Sequence, residues 1–412
     1  MLTRLQFLSA SPRWVGSVRF RHLLIVLVAA TIGAGALVVW AVVVRPNIRR
    51  SDERPIAVSV PELAKTVAAP GIVPVLELPA EELAAMTDRL RPPPGMSISR
   101  LVHALHLFGP ELMTPTGSLR EGRASVLDVL LDVPRAAELF SGASILTATR
   151  YGLRAPLHED ALMGTDQSGS MAHRGQFLSV LGSLGVPSER PIRLGDGSSR
   201  PVAAIRDDLV ANFSMAGEVA WDAVALAFYS DGPVWTNKFG REFSFDELAH
   251  ELNSRDPGQA PCGGIHELIA LTTILKVDQR RAILSPKARD RAVANLSRRV
   301  ARVKTSQRED GSWGLRWHRA EPTEGPHQAR ASSLSSEDAL IVTGHLLEWL
   351  ILLPESLQPE TGVYRRGATW LAAALKVADG EPSHVAEHYC PLIHATRSLR
   401  LLSRAVEPPR GE

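Results

Sequence analysis

The chain has 412 residues, 45% hydrophobic and 22% charged, which is enough to bury one large core or two ordinary ones. A formal net charge of +2, with no zinc-finger spacing and no RNA-binding signature, excludes nucleic acid as the expected partner. Two cysteines cannot build a disulfide framework, and aromatic residues at 5% are too few for a cavity that steadies carbocations with rings.

Residues 1–22 form a short tail carrying Arg4, Arg13, Arg19 and Arg21. Residues 23–44, LLIVLVAATIGAGALVVWAVVV, bear no charge. At about 1.5 Å per residue they suffice to cross a hydrocarbon core of roughly 30 Å, so a single-pass transmembrane anchor is expected, with a buried soluble helix as the alternative. No small-residue cleavage site clearly follows, which favours an anchor that is retained. Arg45, Arg49, Arg50 and Arg54 nearly balance the basic residues before the span. An arginine-bearing tail is costly to translocate, so the expected orientation keeps the tail in the cytoplasm and the large domain extracytoplasmic. Residues 45–96 are punctuated by prolines, end in RPPPGMS and contain one short helical candidate, AEELAAMTDRL. They are expected to form a semi-extended stalk.

From residue 97 to 412 the pattern predicts a mostly α domain. Five apolar segments can be superposed: MAHRGQFLSVLGSLGVP, GEVAWDAVALAFYSD, GGIHELIALTTIL, VTGHLLEWLILLP and PLIHATRSLRLLS. Four of them place a histidine near the predicted helix start: His173, His266, His345 and His394. More polar helices lie between them. SFDELAHEL has Ser244 and Glu247 at capping-box spacing, and RDRAVANLSRRVARV carries Ala292, Leu296, Val300 and Val303 as one stripe. Buried helices alternating with amphipathic ones predict an all-α fold, an α/α toroid with inner helices around a cavity and outer helices shielding them. PVWTNKFGREFSFDEL is expected as a loop or short hairpin with Trp235 and Phe239 packed at its base. The HED stretch at 158–160 and Asp166 either join the site or belong to a Gly/Ser-rich connector. No G-x-S-x-G nucleophile elbow occurs.

QREDGSWGLRW, residues 307–317, sets Gln307, Gly311 and Trp313 in a Q-x-x-x-G-x-W frame. This frame resembles the QW motif of squalene-hopene cyclases, within the wider terpenoid cyclase and protein prenyltransferase superfamily. The resemblance covers one short motif and the helix alternation. It implies that the loop joins helices of an α/α toroid, with the Gln capping a helix end and the Trp packing over it. The chain departs from that superfamily in lacking both D-x-D-D and D-D-x-x-D, so a cyclase of that kind is not expected. His388, Tyr389 and Cys390 stand only loosely where a prenyltransferase would hold zinc with Asp-x-Cys.

Both cysteines fall in the same C-x-x-x-H frame, Cys262 with His266 and Cys390 with His394. On a helix, residues i and i+4 share a face at about 6 Å, which suits two ligands of one metal. A helix start would also favour the thiolate. Three readings follow. In the first, Cys262, His266, Cys390 and His394 bind zinc, with Glu267 or Glu348 as general base in a zinc-dependent hydrolase or transferase. In the second, histidines such as His173 and His345 bind the polar groups of a small-molecule or protein ligand without metal. In the third, the cysteines are core residues or one disulfide, and the chain is a non-catalytic envelope scaffold or interaction module.

Overall fold

The computed structural model describes residues 58–406 apart from 73, 120–121, 141, 143, 158–170, 172, 320–335, 378–384 and 386–387. The expected membrane span, the HED stretch and Asp166 lie outside the described residues. Among those described, no helix is long and apolar enough to cross a membrane.

The first elements are α1 (Val60–Ala68), β1 (Leu76–Pro79) and α2 (Ala80–Asp88). α1 and β1 correct the expected stalk, whereas α2 falls on the expected short helical candidate AEELAAMTDRL. Val60, Leu63, Ala64 and Val67 make one helical face and are buried, with Leu63 and Leu90 fully so. The prolines here serve regular structure: Pro61 sits in the first turn of α1, and Pro79 ends β1.

The chain continues through α3 (Ile98–Phe108), α4 (Val126–Leu130), α5 (Val133–Leu139), β2 (Thr147–Ala148), β3 (Leu153–Arg154) and α6 (Gln176–Ser183). Next come β4 (Pro191–Arg193), β5 (Ser199–Pro201), α7 (Ala203–Ala211), α8 (Ala220–Tyr229), β6 (Val234–Thr236) and β7 (Glu242–Ser244). The remainder is α9 (Phe245–Ser254), α10 (Ile265–Arg281), α11 (Pro286–Ser306), α12 (Ser336–Leu352), α13 (Thr361–Val377), α14 (Tyr389–Leu402) and β8 (Ser403–Val406). The fold is mostly helical, and its strands form only two-stranded ladders.

Six helices pack in a closed cycle: α3 on α6, α6 on α8, α8 on α10, α10 on α12, α12 on α14, and α14 back on α3. Their sequences explain this placement. Every residue of α8 is buried, and α10 is buried from Ile265 to Leu268 and from Ala270 to Asp278. Helices without a polar face must be covered on most sides. The amphipathic helices stand outside: α9 and α11 cover α10, α7 covers α8, and α13 covers α12 and α14. Ala292, Leu296, Val300 and Val303 are the buried stripe of α11, as the sequence predicts. The Ser244 and Glu247 capping box also forms at the start of α9.

One end of the cycle is closed by α1, which packs on α6, α8 and α10. Its contacts lie at their C-terminal ends. Lys276 Nζ donates to the carbonyls of Val67 and Ala69 at 2.9 Å, and Arg281 Nη2 donates to that of Val58 at 2.5 Å. A parallel pairing of β1 with β8, in register Leu76 to Ser403, ties the first described strand to the last.

The Q-x-x-x-G-x-W segment links three helices. Gln307 Nε2 donates to the carbonyls of Gly311 and Val363 at 3.0 Å, and Arg366 donates to Gln307 Oε1. Trp313 is fully buried and its Nε1 donates to the Val303 carbonyl at 2.8 Å. The expected hairpin also forms from β6 and β7. Trp235 packs against Phe213, Phe243 and Phe245, but Phe239 is 80% exposed at the turn and does not join that base. It lies in a tight turn from Asn237 to Gly240, with the Lys238 ammonium 5.0 Å from its ring centre.

Candidate metal centre

The six ring helices, or the residues just before them, each send a polar group to one region. His103 comes from α3, His173 from the approach to α6, Glu218 from the approach to α8, His266 from the first turn of α10, His345 from α12, and Cys390 with His394 from α14. The rings form a continuous row: His103 to His394 at 5.4 Å, His394 to His345 at 3.8 Å, His345 to His266 at 5.6 Å, and His266 to His173 at 5.3 Å between centroids. All six His and Cys residues singled out in the sequence are in this neighbourhood.

Local sequence explains the close approaches. Gly344 lies where a Cβ would stand 2.8 Å from the Ala395 nitrogen, so a small residue on each of α12 and α14 lets the helices close up and bring His345 against His394. Ser398 Oγ then reaches the Gly344 carbonyl at 2.7 Å. Cys262 is held differently from expectation. It is not on the helix with His266: α10 begins at Ile265, and Cys262, Gly263 and Gly264 form a left-handed turn with φ of 50°, 64° and 74°. The two glycines adopt this freely, and a Cβ on Gly264 would meet Pro257 at 2.6 Å. The turn folds the thiol back toward His266. Cys390 and His394 do lie on one helix, whereas His345 is in the body of α12 and not at its start.

Each of the five rings donates Nδ1–H to an oxygen that can only accept. His103 donates to the Ser99 carbonyl at 2.7 Å and His345 to the Ile341 carbonyl at 2.9 Å. His173 and His266 donate to the two oxygens of Glu218 at 2.6 and 3.1 Å, and His394 donates to Glu348 at 2.6 Å. Fixing the proton on Nδ1 leaves Nε2 as the free lone pair, which is how metal-ligating histidines are oriented by their outer partners.

Electrostatics agree with this assignment at His103, His266 and His345, but favour the charged ring at His394. Loss of surrounding water lowers His103 and His266, and lowers His345 well below the ordinary range, so these rings are neutral near pH 7. Burial also opposes charge on His394, but Glu348 and Cys390 raise it to about 9. Glu218, despite burial, is drawn down to about 2 by its hydrogen bonds to His173 and His266. Glu348, also buried, is held well below the carboxylate range by His394 and Arg397. Burial pushes the Cys262 thiol up to about 12, with Cys390 adding to the rise. The expected lowering by a helix start is not seen, since burial dominates at Cys262.

Three groups bring their potential ligand atoms within 4.8 Å of one another: Cys262 with His266 and His345; His103 with Cys390 and His394; and His173 with Glu218 and His266. The third is already satisfied as a hydrogen-bonded triad, since both Glu218 oxygens accept from the rings. The first two are His2Cys sets. Zinc bound at about 2.0–2.1 Å from N and 2.3 Å from S needs its ligand atoms under about 4 Å apart, a small further closure.

The two carboxylates proposed from sequence as general bases are placed elsewhere or engaged. Glu267 follows His266 by one residue, about 100° around the helix, and faces Leu252, Pro257 and Arg299. Among the described residues neither of its oxygens has a hydrogen-bond partner, and burial raises its pKa. Glu348 is spent on His394 and on Arg397 at 2.9 Å, which makes it a positioning carboxylate. Sequence reasoning missed Glu218 and His103. Glu218 occupies the start of the one superposed segment without a histidine, which was the available signal. His103 sits on a helix outside that set.

Beside His173 opens a cavity of about 230 Å³ with Met171, Phe177, Leu178 and Leu209 in its walls. Arg154, ion-paired to Asp208 at 2.8 Å, stands at its polar side. No family model, curated protein or solved structure matches the chain.

Proposed function

We propose that the protein is a zinc-binding α/α toroid, anchored in a membrane by residues 23–44 with its large domain extracytoplasmic. Three observations support the toroid: the closed cycle of buried helices, the amphipathic helices outside it, and the bonds of Gln307 and Trp313 at a helix junction. The resemblance of that segment to the QW motif points the same way.

Cys262, His266 and His345 hold the ion, and one coordination position remains for water or ligand. The observation that carries this reading is the grouping of Cys262, His266 and His345, each offering a ligand atom within 4.8 Å of the others, while Glu218 and the Ile341 carbonyl take the Nδ1 protons and leave each Nε2 as the acceptor. Three protein ligands with an open fourth position is the pattern of catalytic rather than structural zinc. Bound zinc acidifies its water and polarises a carbonyl or phosphoryl group, which favours hydrolysis or group transfer over a scaffold role. A ligand reaches the region by the apolar cavity beside His173, and no cyclase chemistry is involved.

Elemental analysis of the full chain purified without chelator tests the reading. Zinc is expected in wild type, with a clear loss in Cys262→Ser and in His345→Ala. Wild-type protein free of metal, or a content unchanged in both variants, contradicts it.

A further inference from the structure

The two His2Cys sets share no residue, and each has the donor chemistry of a complete three-ligand site. Cys390 and His394 are one turn apart on α14, where the Cβ direction places them on a common face. His103 reaches the same point from α3, the next helix in the cycle. Its Nε2 lies 3.5 Å from the Gln176 amide nitrogen, a contact that an ion would displace. Orientation is as complete here as in the first set, since the Ser99 carbonyl fixes His103 and Glu348 fixes His394.

A ring row needs no thiols, and a single zinc needs neither His103 nor Cys390. The sets adjoin through the His345 and His394 rings, 3.8 Å apart at their centroids, a contact the helices make possible only through Gly344. Charge is also provided for. Two thiolates would offset part of the charge of two dications, and the carboxylates of Glu218 and Glu348 stand just behind the ligands, with Arg397 paired to Glu348 at 2.9 Å.

We infer that the centre is built for two metal ions: one held by Cys262, His266 and His345, the other by His103, Cys390 and His394, with the adjoining His345 and His394 rings as their shared wall. This rests on the zinc reading above and extends it to a second, unassigned site. A pair of neighbouring Lewis acids can clamp two oxygens of one substrate, so the ligand class favoured is one with two adjacent oxygens, such as a carboxylate or a phosphate ester.

The test is an anaerobic titration of metal-free full-length protein with cobalt(II), following the thiolate-to-metal absorption band. Wild type is expected to bind two equivalents, Cys262→Ser and Cys390→Ser each to retain one thiolate-bound cobalt, and the double variant none. His103→Gln is expected to lower only the occupancy that Cys262→Ser leaves. One equivalent in wild type, abolished by either single substitution, overturns the two-ion centre but keeps a metal reading with one ion shared by both thiols. One equivalent, lost only in Cys262→Ser, leaves the first site alone and overturns the second. No thiolate band in wild type overturns both. Wild-type stoichiometry decides the question even where a variant fails to fold.

Discussion

Cys262 holds a side chain at φ 50°, a region that costs residues with a Cβ roughly 1–2 kcal/mol. Its neighbours at the same turn are glycines, which bear no such cost. A thiol retained where glycine would fit better is strain held at a site, the kind that function sustains. The prediction is a comparison of two thiol-free variants. Cys262→Gly should be more stable than Cys262→Ala by about 1 kcal/mol in urea unfolding of the metal-free chain, because only alanine keeps the strain. Equal stabilities would show that the turn relaxes and that nothing is stored there. Four histidines of this row were legible in the sequence because they recur at one register of superposable apolar segments, whereas His103 lies on a helix outside that set. Glu218 was not, since a carboxylate that orients two rings leaves no spacing of its own. Glu267 was misread for a related reason: adjacency to His266 in sequence places it on a different side of α10.

At the level of elements, α1 depends on a buried cation. Lys276 is 6% exposed and its ammonium caps the last carbonyls of α1. Burial lowers its pKa from 10.5 to about 8. Between those values the unfolded chain keeps a proton that the folded chain has released, so stability must rise with pH across this window and stay flat below about pH 8. The rise is expected to be about 2 kcal/mol, and Lys276→Met should abolish it. Urea unfolding of wild type and variant from pH 7.5 to 10.5 checks this, and parallel profiles would contradict it. The helices of the ring and their outer partners were legible from the switch between all-apolar and striped patterns. Residues 58–96 were not, because proline density reads as an extended stalk, whereas here the prolines initiate α1 and terminate β1. The partner of β1 is β8, more than three hundred residues away, and no local pattern announces such a pairing.

Across the whole molecule, the pairing of β1 with β8 and the docking of α1 close the cycle of buried helices at its C-terminal end. The row of histidines lies among the starts of α6, α8, α10 and α14 and in the bodies of α3 and α12. This division explains how a largely apolar interior tolerates so many imidazoles. Each gives its Nδ1 proton to an oxygen, and two His2Cys groups lie side by side in the row. Zinc-edge X-ray absorption on the full-length zinc-loaded protein tests the proposed coordination. The account predicts about one sulfur at roughly 2.3 Å and about two imidazole nitrogens at roughly 2.0–2.1 Å per zinc, with a light atom completing the shell. A shell of oxygen and nitrogen alone, without a sulfur scatterer, would place zinc outside the His2Cys sets and contradict the account.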